Sequence, residues 1–150
     1  MRHPHAGFTL LELLVVIAIV GILVTISFNI YGDLRQKEVL RQGVQQFSAD
    51  LNNSRSIARR LSQDVQVKAN VNQSTYTITR PIAGTSSTQT YTLPENMKFS
   101  TALDVTFSKP YGFATQFLNT DGQRTSLTLA NRSISVYVIG LAGKVVVHED

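Results

Sequence analysis

Glu12 is the one ionisable side chain in "FTLLELLVVIAIVGILVTISF", residues 8 to 28. An acid at the centre of a membrane helix costs roughly 2.5 to 3.5 kcal/mol on insertion scales. A carboxylate kept there either meets a cation or reaches out towards the headgroups. A second chemical group is basic: Arg55 and Arg59 are four residues apart, Arg60 is adjacent, and Lys144 lies near the C-terminus. Spacing of four places Arg55 and Arg59 on one helix face, where they would hold phosphates without reading base sequence. A solvated or packing face is the plainer reading of the same charges. Histidines form a third group: His3 and His5 precede the apolar run, and His148 stands beside Glu149 and Asp150. His148, Glu149 and Asp150 offer at most a weak metal clip, and a solvated tail suits them better. No Ser-His-Asp set, phosphate-cradling glycine loop or paired-carboxylate motif stands out, so the sequence predicts no enzyme, no cofactor and no metal. Cysteine is absent, which excludes disulfides, thiolate metal sites and a thiol nucleophile.

These groups are carried by a divided chain. A large share of the Ile, Leu and Val precedes residue 31, and the remainder of the chain is rich in Ser, Thr, Asn and Gln. That split reads as a membrane anchor joined to a soluble domain. The net charge of +4 is also uneven: residues 34 to 68 hold seven Lys/Arg against three acids, whereas residues 69 to 150 hold six against five. A basic arm of this kind attracts nucleic acid, anionic headgroups or acidic partners.

From Phe8 to Phe28 is 21 residues, enough as a helix to cross a bilayer core of about 30 Å. Beyond it, Ile30, Leu34, Leu40, Val44, Phe47, Leu51, Ala58 and Leu61 recur mostly at threes, fours and their sums, one stripe of an amphipathic helix. The first proline after the helix begins is Pro81, so the pattern predicts a helix from about Leu10 to about Ser62, some 80 Å long. Alternation predicts strands over 65–69, 75–79, 91–93, 97–100, 105–107, 126–130, 133–139 and 144–148. Turns fall at 70–74, 94–96, 119–123 and 141–144, and "PIAGTSST", 81 to 88, reads as a loop. The expected fold is α+β: a long N-terminal helix, transmembrane in its first half, packed against an antiparallel β-sheet head. The expected segments are 1–7 as a leader, 8–29 as the transmembrane and assembly helix, 30–63 as its amphipathic continuation, and 64–150 as the head.

Gly7-Phe8-Thr9-Leu10-Leu11-Glu12, with Leu13 to Val24 after it, resembles the class III signal of type IV prepilins and type II secretion pseudopilins. The resemblance implies cleavage between Gly7 and Phe8 by a prepilin peptidase, and N-methylation of Phe8. It implies that Glu12, fifth in the mature chain, meets the N-terminal ammonium of a neighbouring subunit. Within that group, "LNNSRSIARRLSQDVQV" (51 to 67), "VTFSKPYGFA" (105 to 114) and "ISVYVIGLAGKVVV" (134 to 147) are most similar to GspH/FimT-like members. Major pilins often carry a proline near the end of the apolar helix; here Gly21 and Gly32 are its only weak points. The implied protein is a minor pilin or pseudopilin, a structural subunit of a type IV pilus or type II secretion pseudopilus. It is held in the cytoplasmic (inner) membrane by a single pass with its head extracytoplasmic, and then enters a periplasmic or cell-surface filament. Its partners would be other pilins or pseudopilins and the prepilin peptidase. The alternative is a DNA-binding minor pilin for uptake in natural transformation, with Arg55, Arg59, Arg60 and Lys144 as contacts. The family's C-terminal Gly-Arg-x-Arg pattern is here Gly143-Lys144-Val145-Val146, with one basic residue instead of two.

Overall fold

A computed structural model describes residues 9–82, 85–115 and 123–149, apart from the side chains of residues 26–30 and 82. The chain divides into two compact units, residues 1–35 and 36–150. One helix, α1 (Leu10–Leu61), supplies the described part of the first unit and the beginning of the second. Its 52 residues are close to the length that periodicity predicts.

In the second unit α1 leads into nine strands among the described residues: β1 (Val65–Ala69), β2 (Thr75–Ile82), β3 (Thr85–Thr92), β4 (Lys98–Phe99), β5 (Leu103–Ser108), β6 (Phe113–Thr115), β7 (Gln123–Leu129), β8 (Arg132–Ile139) and β9 (Lys144–Glu149). They form two antiparallel sheets, ordered β3-β2-β1-β5-β6 and β4-β7-β8-β9. The α+β architecture is the one expected from sequence.

Within the loop expected at 81 to 88, residues 81, 82 and 85 to 88 are strand, and residues 83 and 84 lie outside the described residues. Pro81 and Ile82 end β2, Thr85 to Thr88 open β3, and the two strands pair from Thr75↔Thr92 to Ile82↔Thr85. Pro81 is tolerated because β1 pairs with β2 only as far as Gln66↔Thr79, so the proline lies beyond the three-stranded part of the sheet. The short strand β6 has no counterpart among the strands that alternation predicts. Of the expected turn at 119–123, residues 119–122 lie outside the described residues, and Gln123 opens β7 instead.

A single core unites these elements. Leu40, Val44, Phe47, Leu51 and Ala58 are buried on α1, and Val65, Val67, Ile78, Val105 and Phe107 line the inner face of the first sheet. Phe99, Leu127, Ile134, Val136 and Val138 come from the second sheet. The helix stripe is shorter than its pattern: Leu34 and Leu61 are exposed, so burial begins at Leu40 and ends at Ala58. Gly43 sits on the same face because a β-carbon there would come within 2.6 Å of Met97 Sδ and Cε.

The outer face of the first sheet is a ladder of threonines, paired as Thr75/Thr92, Thr77/Thr90 and Thr79/Thr88. The last pair shares a hydroxyl hydrogen bond of 3.0 Å. Tyr91 is the only part-buried side chain of β3.

Aromatic rings join helix to sheets. Phe47 meets the Tyr76 ring edge-on at 4.9 Å and the Phe99 ring at 5.1 Å, and Tyr91 stacks on Tyr76 at 5.4 Å. The Tyr76 hydroxyl donates to Asp50 of α1. Burial first, and the Asp50 carboxylate second, push the Tyr76 phenol above its ordinary value of 10.0. Folding therefore favours the neutral phenol: that stability is complete below pH 10 and declines as pH rises further, when the unfolded chain ionises. Urea midpoints measured between pH 8 and 11 should fall above about pH 10 in the native sequence. Tyr76→Phe should flatten that fall, and should cost about 1–2 kcal/mol at neutral pH through the lost hydrogen bond.

Candidate functional site

The start of α1 is built around Thr9 and Glu12. Thr9 Oγ1 accepts the Glu12 N–H at 3.2 Å, and the Thr9 carbonyl accepts the Leu13 N–H at 3.3 Å. Thr9 is thus the N-cap and Glu12 stands at the third helical position, the spacing of a capping box. A carboxylate there also faces the positive end of the helix dipole. Thr-x-x-Glu before an apolar run is a legible sequence signal for this cap, although the charge of Glu12 alone draws the eye. Gly7 and Phe8 lie outside the described residues, as do His3, His5 and Asp150.

The turns after Glu12 are apolar on every side. Leu10 is 81% exposed and Val15, among the least exposed of the run, is still 46% exposed. A helix that is apolar all round belongs in lipid or a protein core. The hydroxyl of Thr25 donates to the Gly21 carbonyl at 2.9 Å, so it carries its own partner into such surroundings. Among the described residues no helix is long and apolar enough to cross a membrane. The expected span from Phe8 to Phe28 includes Phe8 and side chains of residues 26–28, which are outside that description.

The arginines lie in the last two turns of α1. Arg59 and Arg60 are exposed and Arg55 is half-buried, its Nε enclosed without a partner. Gly112, at φ +66°, closes a turn against them: a β-carbon there would be 2.7 Å from Arg59 Cγ and 2.9 Å from the Arg55 carbonyl oxygen. The turn is held by the Gly112 N–H on the Ser108 carbonyl at 2.7 Å and the Lys109 N–H on Asp64 Oδ1 at 2.9 Å. Arg55 and Arg59 are therefore packing residues along their stems as well as charges, which their position off the apolar stripe does not suggest.

Lys144 is set by a different contact. It comes after Gly143, whose β-carbon would meet Phe107 Cε1 at 3.1 Å and Ala114 Cβ at 3.2 Å. The Ala114 N–H donates to the Leu141 carbonyl at 3.0 Å. The two turns thus flank the start of β6, one against Gly112 and one against Ala114. Neither Arg55, Arg59, Arg60 nor Lys144 makes an ion pair among the described residues. The string Lys109-Pro110-Tyr111-Gly112-Phe113 adds a cation and two aromatic rings there, which in the sequence serve only as a family marker.

Glu149 does not neutralise Lys144. The residues occupy opposite ends of β9, about 17 Å apart along a strand. Arg41 grips Glu149 in a fork, Nε to Oε1 at 2.9 Å and Nη2 to Oε2 at 3.1 Å. Its guanidinium holds the Glu149 carboxyl below its ordinary value, so this fork is lost as pH falls. An open cavity of about 480 Å³ lies beside it, between α1 and β9. Among the described residues no three His, Asp or Glu side chains gather to hold a metal.

Residues 2–28 match a family model described as the prokaryotic N-terminal methylation motif. The match covers 27 of the 150 residues. No curated protein and no solved structure matches the chain. The motif supports a type IV pilin-like protein, made as a membrane-anchored precursor, processed by a prepilin peptidase and working as a structural subunit among other pilins.

Two substitutions test the geometry. Gly112→Ala should cost about 1–3 kcal/mol, from the left-handed φ and from contact with backbone at Arg55. Gly140→Ala has a similar φ of +65° but meets nothing within 4 Å, so it should cost only the conformational part. Chemical denaturation of the two variants side by side separates packing from backbone strain.

Proposed function

We propose that this chain is a minor pilin or pseudopilin, a structural subunit of a type IV pilus or type II secretion pseudopilus, closest to the GspH/FimT-like group. The observation that carries the reading is the methylation motif at 2–28, laid over a helix whose residues 10–24 are exposed on every side. The peptidase cuts between Gly7 and Phe8; a residue without a side chain at position 7 lets the backbone enter a narrow cleft. Phe8 then becomes the N-methylated terminus. In the membrane the apolar run holds the subunit, and in a filament the same run packs against its neighbours. Glu12 accepts the Phe8 ammonium of an adjacent subunit, which offsets the cost of keeping a carboxylate in low dielectric and sets the axial register. The Thr9 cap leaves the carboxylate on the first turn, near where such a terminus would arrive.

Gly7→Val should leave full-length precursor in the membrane, and mass spectrometry of assembled filaments should find N-methyl-Phe8 as the first residue in the native protein. Glu12→Val should insert and be processed but enter filaments poorly. Normal incorporation of that variant would leave Glu12 as a capping residue only.

A second reading is DNA reception. It is supported by the arginines and Lys144, which no acid among the described residues neutralises. With about three phosphates engaged, log K should fall with log salt at a slope near −2 to −3. Replacing Arg59 and Arg60 by Gln should shallow that slope by up to about two units. Absence of a gel shift for full-length protein in detergent at low salt would remove this reading and leave assembly untouched.

A further inference from the structure

We infer that the surface around the start of β6 docks a protein partner whose contact face has an apolar centre and an acidic rim. Tyr111 is 64% exposed and Leu141 is 68% exposed, although both sit on turns held firmly by backbone hydrogen bonds. Phe113 is also exposed, and its ring lies 5.5 Å from that of Tyr111. The Ala114 N–H to Leu141 carbonyl bond brings the second turn beside Phe113. Two paired rings, and an aliphatic side chain on the neighbouring turn, are thus left exposed by the described chain.

Cations lie on or beside the same turns and on the end of the helix against which Gly112 packs. Arg59 and Arg60 come from α1, Lys109 from the first turn and Lys144 from beyond the second, while Asp64 is the acid that the first turn uses. An apolar centre with a charged rim is the usual anatomy of a protein interface, and Tyr and Arg dominate its energetic centres. The surface is also organised in advance: Gly112 pins the stems of Arg55 and Arg59, and rings have few rotamers to lose. Positive charge that no acid among the described residues pairs selects a partner of the opposite sign and speeds its arrival. A single-stranded nucleic acid suits the site less well. Proteins that bind one offer a basic groove that tracks the backbone, with bases stacked on rings. Here the two rings lie against each other at 5.5 Å and the third exposed apolar side chain, Leu141, has no π-face to offer.

The inference goes beyond the filament reading, since nothing in it depends on residues 2–28. It is tested in the cells that make the protein, with the full chain carrying a photoreactive benzoylphenylalanine in place of Tyr111, and a control chain carrying it in place of Thr90 on β3. Light should yield a discrete protein adduct from position 111 and none from position 90, and mass spectrometry should place the crosslink among acidic residues of the partner. Arg60→Glu with Lys144→Glu should lower the adduct by about tenfold, and Arg60→Lys should restore it when Lys144 is native. Both positions are exposed, and circular dichroism of the purified variant confirms that the head is intact. An adduct with nucleic acid, equal labelling from position 90, or a yield indifferent to charge reversal in a folded head would each overturn the inference.

Discussion

Phe47 holds the head together. Its ring, fully buried, touches Tyr76 of the first sheet and Phe99 of the second, so one helix side chain fixes both sheets to α1. Neighbouring positions on the stripe recur at threes and fours, Leu40, Val44, Leu51, Ser54 and Ala58, all buried. Asp50, on the next turn, adds a directional bond to the Tyr76 hydroxyl, which sets the rotation of the helix over β2. Nonpolar area supplies most of the stability here, and the polar bond selects one orientation among those that would bury similar area.

The helix and the α+β layout are legible in the sequence because their signals are periodic. Fifty residues without proline, with apolar positions at helical spacing, leave few alternatives. β8 and β9 are legible for the same reason, as are the turns at 70–74 and 94–96. β3 is legible only at its end, where Tyr91 and Thr92 fall in the expected strand 91–93; "TSSTQT" before them has no apolar alternation, because those side chains are all exposed. Its existence depends on backbone pairing with β2, and pairing partners carry no local mark. β6 is three residues long, too short for any pattern.

Site residues divide along the same line. Glu12 stands out because a charge in an apolar run is rare, whereas the Thr9 cap beside it is ordinary chemistry. Arg55 and Arg59 are conspicuous by charge, but their role as a bed for Gly112 depends on a turn some fifty residues later in the chain. Glu149 is close to Lys144 in sequence, while extension of β9 separates them and brings the carboxylate to Arg41. Leu141 and Tyr111 carry no signal at all until two turns meet at one strand.

β3 is a free sheet edge, and free edges invite other strands. Its side chains are nearly all hydroxyls and amides, so a strand that paired there would gain backbone hydrogen bonds but bury almost no apolar area. Each such bond only replaces one already made to water. Heads crowded side by side at high local concentration would thus have little reason to fuse along this edge. The threonine ladder makes the hairpin a non-stick flank: contacts between copies are left to surfaces that have side chains to recognise, and chance sheet extension is not rewarded.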